Sequence, residues 1–462
     1  MSVILLWIRT KMLSKNHLVS NSMNILTLIK SGGVIDISRY HHTPKYSNIN
    51  LKVLRVANNQ LSRFGKGYKR RCSIWSQGYK DEFDWQDVIT EAEQIVGYPT
   101  SFLNLRWLFN DEIANTAIHL RKLVGTNHPL LKTAKNILIG SKSNLQSVGL
   151  IILLVSKAAG FDSQNYTGEH HDSGVLHAQR ALAEIVEMKR TGHFIHKTMA
   201  NLQDMEKCGD KYKDFLYGNK IVLLTGDYLL AKCLQNLGGL RNNEVTELIS
   251  TGLRDLVEGD FLGEHDDENK PVPTKPKGSN DVKRNYLWEE EDNLLKLGSN
   301  EFLGQGKDEW LLRTMLTSGS LLGKGCQGAM KLANRNHLEA DAYKLGGHLA
   351  ITWQLYLDIK DFFVHPYSYS LVGAPVIIAM WEYPSLYGHI WKAKVEKRPM
   401  EYKQLYYAVR STRSLEYITN FLNDELAAVM RCSDKLPLCD ARVALQKMAM
   451  TIHGETLQYM EK

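Results

Sequence analysis

Proline placement constrains this chain more than any other feature. No proline occurs over residues 130–270 or 277–365, leaving runs of 141 and 89 residues without the side chain that removes an amide donor and clashes with the preceding turn. Runs of that length predict a mainly helical protein. Apolar residues at 44% and charged residues at 23% are ordinary globular proportions, and 462 residues allow one large core or two domains.

The formal charge of +7 is unevenly spread. Residues 1–80 carry 14 Lys and Arg against one acid, Asp36, which leaves the other 382 residues at −6. A mildly acidic folded part argues against nucleic-acid binding, which needs basic residues clustered on the folded surface. The first 35 residues contain no Asp or Glu and set Arg9, Lys11, Lys15 and Lys30 among Ile, Leu, Trp and Ser. That composition fits a cationic amphipathic mitochondrial transit segment. Residues 1–80 are therefore expected to be a transit-like, disordered basic leader, with a plain basic arm as the alternative, and the protein is expected in the mitochondrial matrix. The longest smooth apolar stretch, Val148 to Val155, is closed by Ser156 and Lys157, far short of the ~20 residues that span a bilayer, so no transmembrane segment is expected. Six cysteines without a CxxC pair suggest neither a zinc site nor a redox pair.

Helical patterning is read over residues 98–121, 130–138, 148–159, 175–202, 221–237, 310–333, 340–363 and 375–383. The segment 148–159 is apolar on nearly all sides, which predicts a central helix. No fixed-period repeat is evident, so residues 81–462 are expected to form a single large all-α domain. Two metal-like clusters are discounted. His170 and His171 beside Asp172 are adjacent on a loop and seldom converge on one ion. Asp266-Asp267-Glu268 lies in a polar, proline-bearing insertion, residues 263–308, where a charge run is usually solvated.

Several passages together carry a likeness: His177-Ala-Gln-Arg-Ala-Leu-Ala-Glu-Ile-Val-Glu-Met188, Gly218-Asn219 with Leu223-Leu-Thr-Gly-Asp-Tyr-Leu-Leu-Ala231, Val257-Glu-Gly-Asp-Phe261, the run from Gly346 to Phe362, and Gly373-Ala-Pro-Val-Ile377. In order and spacing they resemble the trans-isoprenyl diphosphate synthase family over residues 99–462. The resemblance implies an isoprenoid-synthase helical bundle that joins isopentenyl diphosphate to an allylic diphosphate. It also implies Mg²⁺ ions, held by carboxylates of two aspartate-rich motifs on facing helices, that neutralise the departing pyrophosphate.

This chain departs from the pattern at the charged positions. The first aspartate-rich motif falls on Lys197, Thr198, Met199, Ala200 and Asn201, without a carboxylate. The second falls on residues 357–361 and keeps Asp358 and Asp361, which share a helical stripe with Gln354 at i, i+4 and i+7. Of the basic diphosphate-binding element only Lys142 remains, as a vestige. The family's Lys-Thr pair appears as Thr317-Ser318, and Gly226 and Asp227 hold structural positions. Lys197 is expected to face the second motif and pair with Asp358 or Asp361, unless those two are plain surface charges. Gly192, five residues before the lost motif, stands where a small residue gives a growing chain room in catalytic relatives.

Within the family the likeness is greatest to the motif-degenerate second subunit of the heteromeric all-trans-polyprenyl (decaprenyl or solanesyl) diphosphate synthase, carried by residues 177–188 and 317–333. It implies a non-catalytic or regulatory subunit of a heteromer, commonly a heterotetramer, that supplies the ubiquinone side chain. Such a subunit stabilises the catalytic subunit and shapes its product cavity, and it meets allylic and isopentenyl diphosphates only through that partner. No catalytic residue, metal or cofactor is expected on this chain, with Mg²⁺ expected in the catalytic partner. The apolar stretches 148–155 and 221–230 offer more hydrophobic surface than one helix stripe needs, for a partner or for the core. Two other readings stay open: a weak prenyltransferase using Asp358, Asp361, Asp227 and Lys142, or a mitochondrial helical scaffold with no prenyl connection.

Overall fold

The structure is a computed structural model that describes residues 85–97, 148–161, 174–202, 209–266, 269–277, 301–396 and 398–461, together with Pro129. All of these segments fall within the unit Phe83–Lys462. The leader 1–80, the helices expected over 98–121 and 130–138, Lys142, and His170 with His171 and Asp172 lie outside the described residues.

The first half contributes α1 (Trp85–Val96), α2 (Val148–Ala159), α3 (His177–His196), α4 (Asp210–Gly239) and α5 (Asn243–Asp260). The second contributes α6 (Lys307–Thr314), α7 (Ser320–Leu332), α8 (Glu339–Val364), α9 (Ala374–Glu382), α10 (Tyr387–Val395), α11 (Tyr402–Arg410), α12 (Ser414–Ser433) and α13 (Asp440–Met460). Among the described residues the only extended pairing is an isolated bridge between His265 and Pro271. The chain is all-α, as the proline-free runs predict.

Helix α2 is central because its sequence leaves it no polar face: all its residues but Lys157 are buried. Groups near its two ends bond to neighbouring helices. The buried carboxylate of Glu187 on α3 accepts from Gly149 N–H at 3.1 Å, and Lys157 Nζ donates to Ile95 O at 2.7 Å, closing the last turn of α1. The stretch 148–155 is thus spent on the core and leaves nothing for a partner.

Helix α8 is buried almost all round for a different reason: it stands between two hydrophobic clusters. Leu345, Leu349 and Trp353 belong to the core formed with α1 to α5, whereas Ile351, Leu355, Ile359 and Phe362 belong to the core formed with α9 to α12. Its approach to α7 is close enough to exclude a methyl group. A Cβ on Gly346 would lie 2.9 Å from Gly323 Cα, and one on Gly323 would lie 2.9 Å from Tyr343 O.

The helix expected over 310–333 is broken where no sequence signal marks it. Between α6 and α7 runs one wide π-helical turn, Met315–Gly319. Leu316 and Thr317 of that turn press against Gly259 of α5, where a Cβ would meet Thr317 Cγ2 at 3.0 Å. At α6 the buried Glu309–Arg313 pair fastens both described ends of the polar insertion. Glu309 accepts from Gly304 N–H and from the amide and hydroxyl of Thr274, and Arg313 donates to Leu262 O and Val272 O.

Gly346→Ala is expected to cost about 1–3 kcal/mol, the usual penalty for adding a methyl group to a filled contact. Urea unfolding reads it as a lower midpoint at unchanged slope; a midpoint equal to the parent's would contradict backbone contact between α7 and α8.

Candidate functional site

Helix α3 ends at His196, and the residues aligned with the first aspartate-rich motif follow it in a turn rather than on the helix expected to reach 202. Lys197 is the C-cap residue, and Thr198 Oγ1 donates back to Ile195 O at 2.6 Å. The side chain of Asn219 on α4 then holds the backbone of Ala200 in both directions, accepting from its N–H at 2.8 Å and donating to its oxygen at 2.9 Å. These local bonds compete with helix continuation and win.

The ammonium of Lys197 pairs with Asp260 Oδ1, the last residue of α5, at 2.6 Å. It does not pair with Asp358 or Asp361, contrary to the sequence expectation. Both partners are partly exposed, so the pair contributes only ~0–1 kcal/mol; its consequence is charge compensation at the motif position. His193 Nε2 lies 3.2 Å from Asp260 Oδ2 but without hydrogen-bond alignment. Burial pushes His193 down to about 4, against the pull of Asp260 and with the push of Lys197 and His196. It is neutral at physiological pH, and Lys197 is the charged partner of Asp260.

Gly226 and Asp227 form the seat of His196. A Cβ on Gly226 would sit 2.1 Å from His196 Nε2, so only glycine admits the imidazole there. That nitrogen lies 3.3 Å from Leu223 O and 3.3 Å from Asp227 Oδ1. Gly192 is used in the same contact: a Cβ there would meet Leu229 Cβ at 3.3 Å and Gly226 O at 3.4 Å. Its small size serves the approach of α3 to α4 rather than leaving open space.

At the second motif Asp358 is buried, 8% exposed, and its two oxygens take three donors. Gln354 Nε2 donates at 2.7 Å, Trp310 Nε1 at 2.7 Å and Ala374 N–H, at the N-terminus of α9, at 2.8 Å. Asp358 is therefore not a surface charge. Asp361 accepts from Ser370 N–H at 3.0 Å and pins the loop between α8 and α9. At the position of the Lys-Thr pair, Thr317 and Ser318 return their hydroxyls to Arg313 O and Thr314 O. Asp266 Oδ1 accepts from Lys270 N–H in a local turn, as expected of a solvated loop charge.

Sequence reasoning missed a buried charged network behind the motif. Lys189 of α3 donates from Nζ to Ile249 O at 2.6 Å, and burial pushes its ammonium down to about 8. Asp255 of α5 accepts from Lys324 Nζ at 2.6 Å and from Ser320 Oγ, both on α7, and from Arg254. A signal existed, since Lys189 interrupts the apolar side of α3. Asp260 lay inside a quoted passage, but nothing in the sequence tied it to Lys197.

These donors do not fit a magnesium cluster. A hard divalent cation needs several unengaged oxygens, whereas one motif presents an ammonium and the other offers Asp358, shared among three N–H groups, and Asp361, which already accepts from Ser370 N–H. Among the described residues no group of three His, Cys, Asp or Glu converges for a metal.

No protein-family model matches the chain. It is 32% identical over 384 residues to the Homo sapiens protein named All trans-polyprenyl-diphosphate synthase PDSS2, covering 81% of this chain and 88% of that protein. It is 24% identical over 434 residues to the Yarrowia lipolytica protein named Probable hexaprenyl pyrophosphate synthase, mitochondrial, covering 79% and 88%. Among solved structures, a decaprenyl diphosphate synthase from Rhodobacter capsulatus superposes with a TM-score of 0.49 at 16% identity, over 79% of this chain and 98% of that one.

Burial of Asp358 raises its carboxyl from 3.8 to about 6, against the three hydrogen bonds that favour the ionised form. The folded chain thus keeps a proton that the unfolded chain releases between about pH 4 and 6. The stability this proton confers is present below about pH 4 and lost as pH rises through 6. Asp358→Asn removes that dependence, so in urea unfolding the variant should gain on the parent between pH 4 and pH 7. Asp358→Ala, which strands the buried donors of Trp310 and Ala374 at about 1–3 kcal/mol each and frees the part-buried Gln354, should lose at least ~2 kcal/mol at either pH.

Proposed function

Because the chain belongs to the trans-isoprenyl diphosphate synthase family, we propose that it acts as the non-catalytic subunit of a heteromeric all-trans-polyprenyl diphosphate synthase that supplies the ubiquinone side chain in the mitochondrial matrix. The observation that carries this reading is the Lys197–Asp260 pair at the place of the first metal-binding motif. An ammonium there repels Mg²⁺, and Asp358 has no oxygen free of protein donors. Ionisation of the allylic diphosphate and the metal that assists it belong to the catalytic partner.

This chain's own contribution is to bind that partner in its folded state. Leu216, Leu223 and Leu234 of α4 are all exposed and lie within about 20° of one line down the helix at 100° per residue. Phe194 and Met199 near the end of α3 are exposed as well. Leucines at one angular position of a long helix, with exposed Lys220 and Asp227 between them, suit an interface that mixes apolar anchors with charge. A partner that binds only folded protein stabilises it by mass action, and the effect is mutual. The name of the human relative and the mitochondrial name of the Yarrowia lipolytica relative support the assignment of reaction and compartment.

The purified chain, given allylic and isopentenyl diphosphates with Mg²⁺, is expected to show no turnover. Co-expression with the catalytic polyprenyl diphosphate synthase subunit of the same organism should yield a co-purifying, active heteromer. Turnover by the lone chain that Asp358→Ala abolishes would overturn the proposal. Leu223→Asp combined with Leu234→Asp should abolish co-purification while leaving the far-ultraviolet circular dichroism of the chain unchanged.

A further inference from the structure

The exposed large apolar side chains fall into two chemically different groups. Those on α3 to α5 are mainly aliphatic and include the leucines assigned above to the partner surface. Those between α8 and α12 are mainly rings with a polar tip: Tyr367, Trp381, Tyr383, Trp391, Tyr407 and Tyr417.

Helix α10 shows how the second group is displayed. Ile390 is buried in the core formed by α9 to α12, and that anchors the inner edge of the helix. On the outer side Trp391 is 45% exposed and Val395 59%, with Lys392 exposed beside them. Lys394 Nζ lies 5.9 Å from the centre of a ring of Trp391. After α10 the chain doubles back, with Arg398 N–H donating to Ala393 O at 3.0 Å. It then enters an open groove of about 560 Å³ whose walls include Tyr367, Met400, Lys403 and Tyr407. There Lys403 Nζ stands 5.7 Å from the centre of the Tyr367 ring. Residues 387–403 carry five Lys and Arg against two Glu.

Charge and ring chemistry decide what this surface fits. Rings alone would also suit a protein interface, but lysine is depleted at the core of one, and here lysines stand against the rings. Tryptophan and tyrosine favour the headgroup level of a bilayer, and lysines beside them are attracted to anionic lipid. Among the described residues no helix is long and apolar enough to cross a membrane, so the contact is one of lying on it. We propose that α10 and the Tyr367–Lys403–Tyr407 groove form a peripheral docking surface for an anionic phospholipid bilayer, with Trp391 and Val395 entering the headgroup region and Lys392 and Lys403 meeting phosphates. The surface lies on elements other than α4 and does not depend on the subunit assignment.

Hydrogen exchange on the full chain, with vesicles of phosphatidylcholine alone or of equimolar phosphatidylcholine and phosphatidylglycerol, locates the contact despite the basic leader. Residues 387–407 should become protected with the anionic vesicles only, and the protection should fade at high salt. In vesicle sedimentation, Lys392→Glu and Lys403→Glu should each weaken partitioning by about fivefold or more, the effect of one basic residue at an anionic surface. Trp391→Ser with Val395→Ser should weaken it with either lysine retained. The proposal fails if protection is confined to residues 1–80, if 387–407 exchange equally with and without vesicles, or if the serine pair abolishes co-purification with the catalytic subunit, which would make the face a protein interface.

Discussion

Asp358 joins three helices through one carboxylate. Gln354 approaches from the preceding turn of α8, Trp310 from α6, and the first amide of α9 from the chain that follows. The arrangement is costly for an ionised group at 8% exposure, which is why its carboxyl titrates so high. It is tolerated because each oxygen is engaged and because removing the carboxylate would strand the buried donors of Trp310 and Ala374. One carboxylate thereby ties α6 and α9 to α8 at the edge of the apolar core they share with α10 to α12.

The positions aligned with the family's two aspartate-rich motifs are both taken up by contacts within the chain. Here Asp358 is engaged by protein donors and Lys197 balances Asp260 instead of facing it. The two motif positions make separate structural contacts, one between α3 and α5 and one among α6, α8 and α9.

Two surfaces are left over once the core is accounted for. The large exposed apolar side chains of α4 are leucines, while the surface of α10 and α11 is aromatic and cationic. Hydrophobic area alone would not separate them; side-chain polarity and neighbouring charge do. Helix α2, which looked in sequence like a third such surface, is buried on every side but Lys157.

The sequence by itself determined the helical class and the bounds of α2, because periodicity and proline exclusion are local properties. It also placed Gln354, Asp358 and Asp361 on one stripe. Tertiary structure decided the rest. The π turn at Met315–Gly319 answers the press of Gly259, the end of α3 answers Asn219, and Gly192 is small because α4 lies against it. The partner of Lys197 is Asp260, 63 residues away. Pairings of that kind follow from which helices meet and at what distance, and neither is written in the order of residues along one helix.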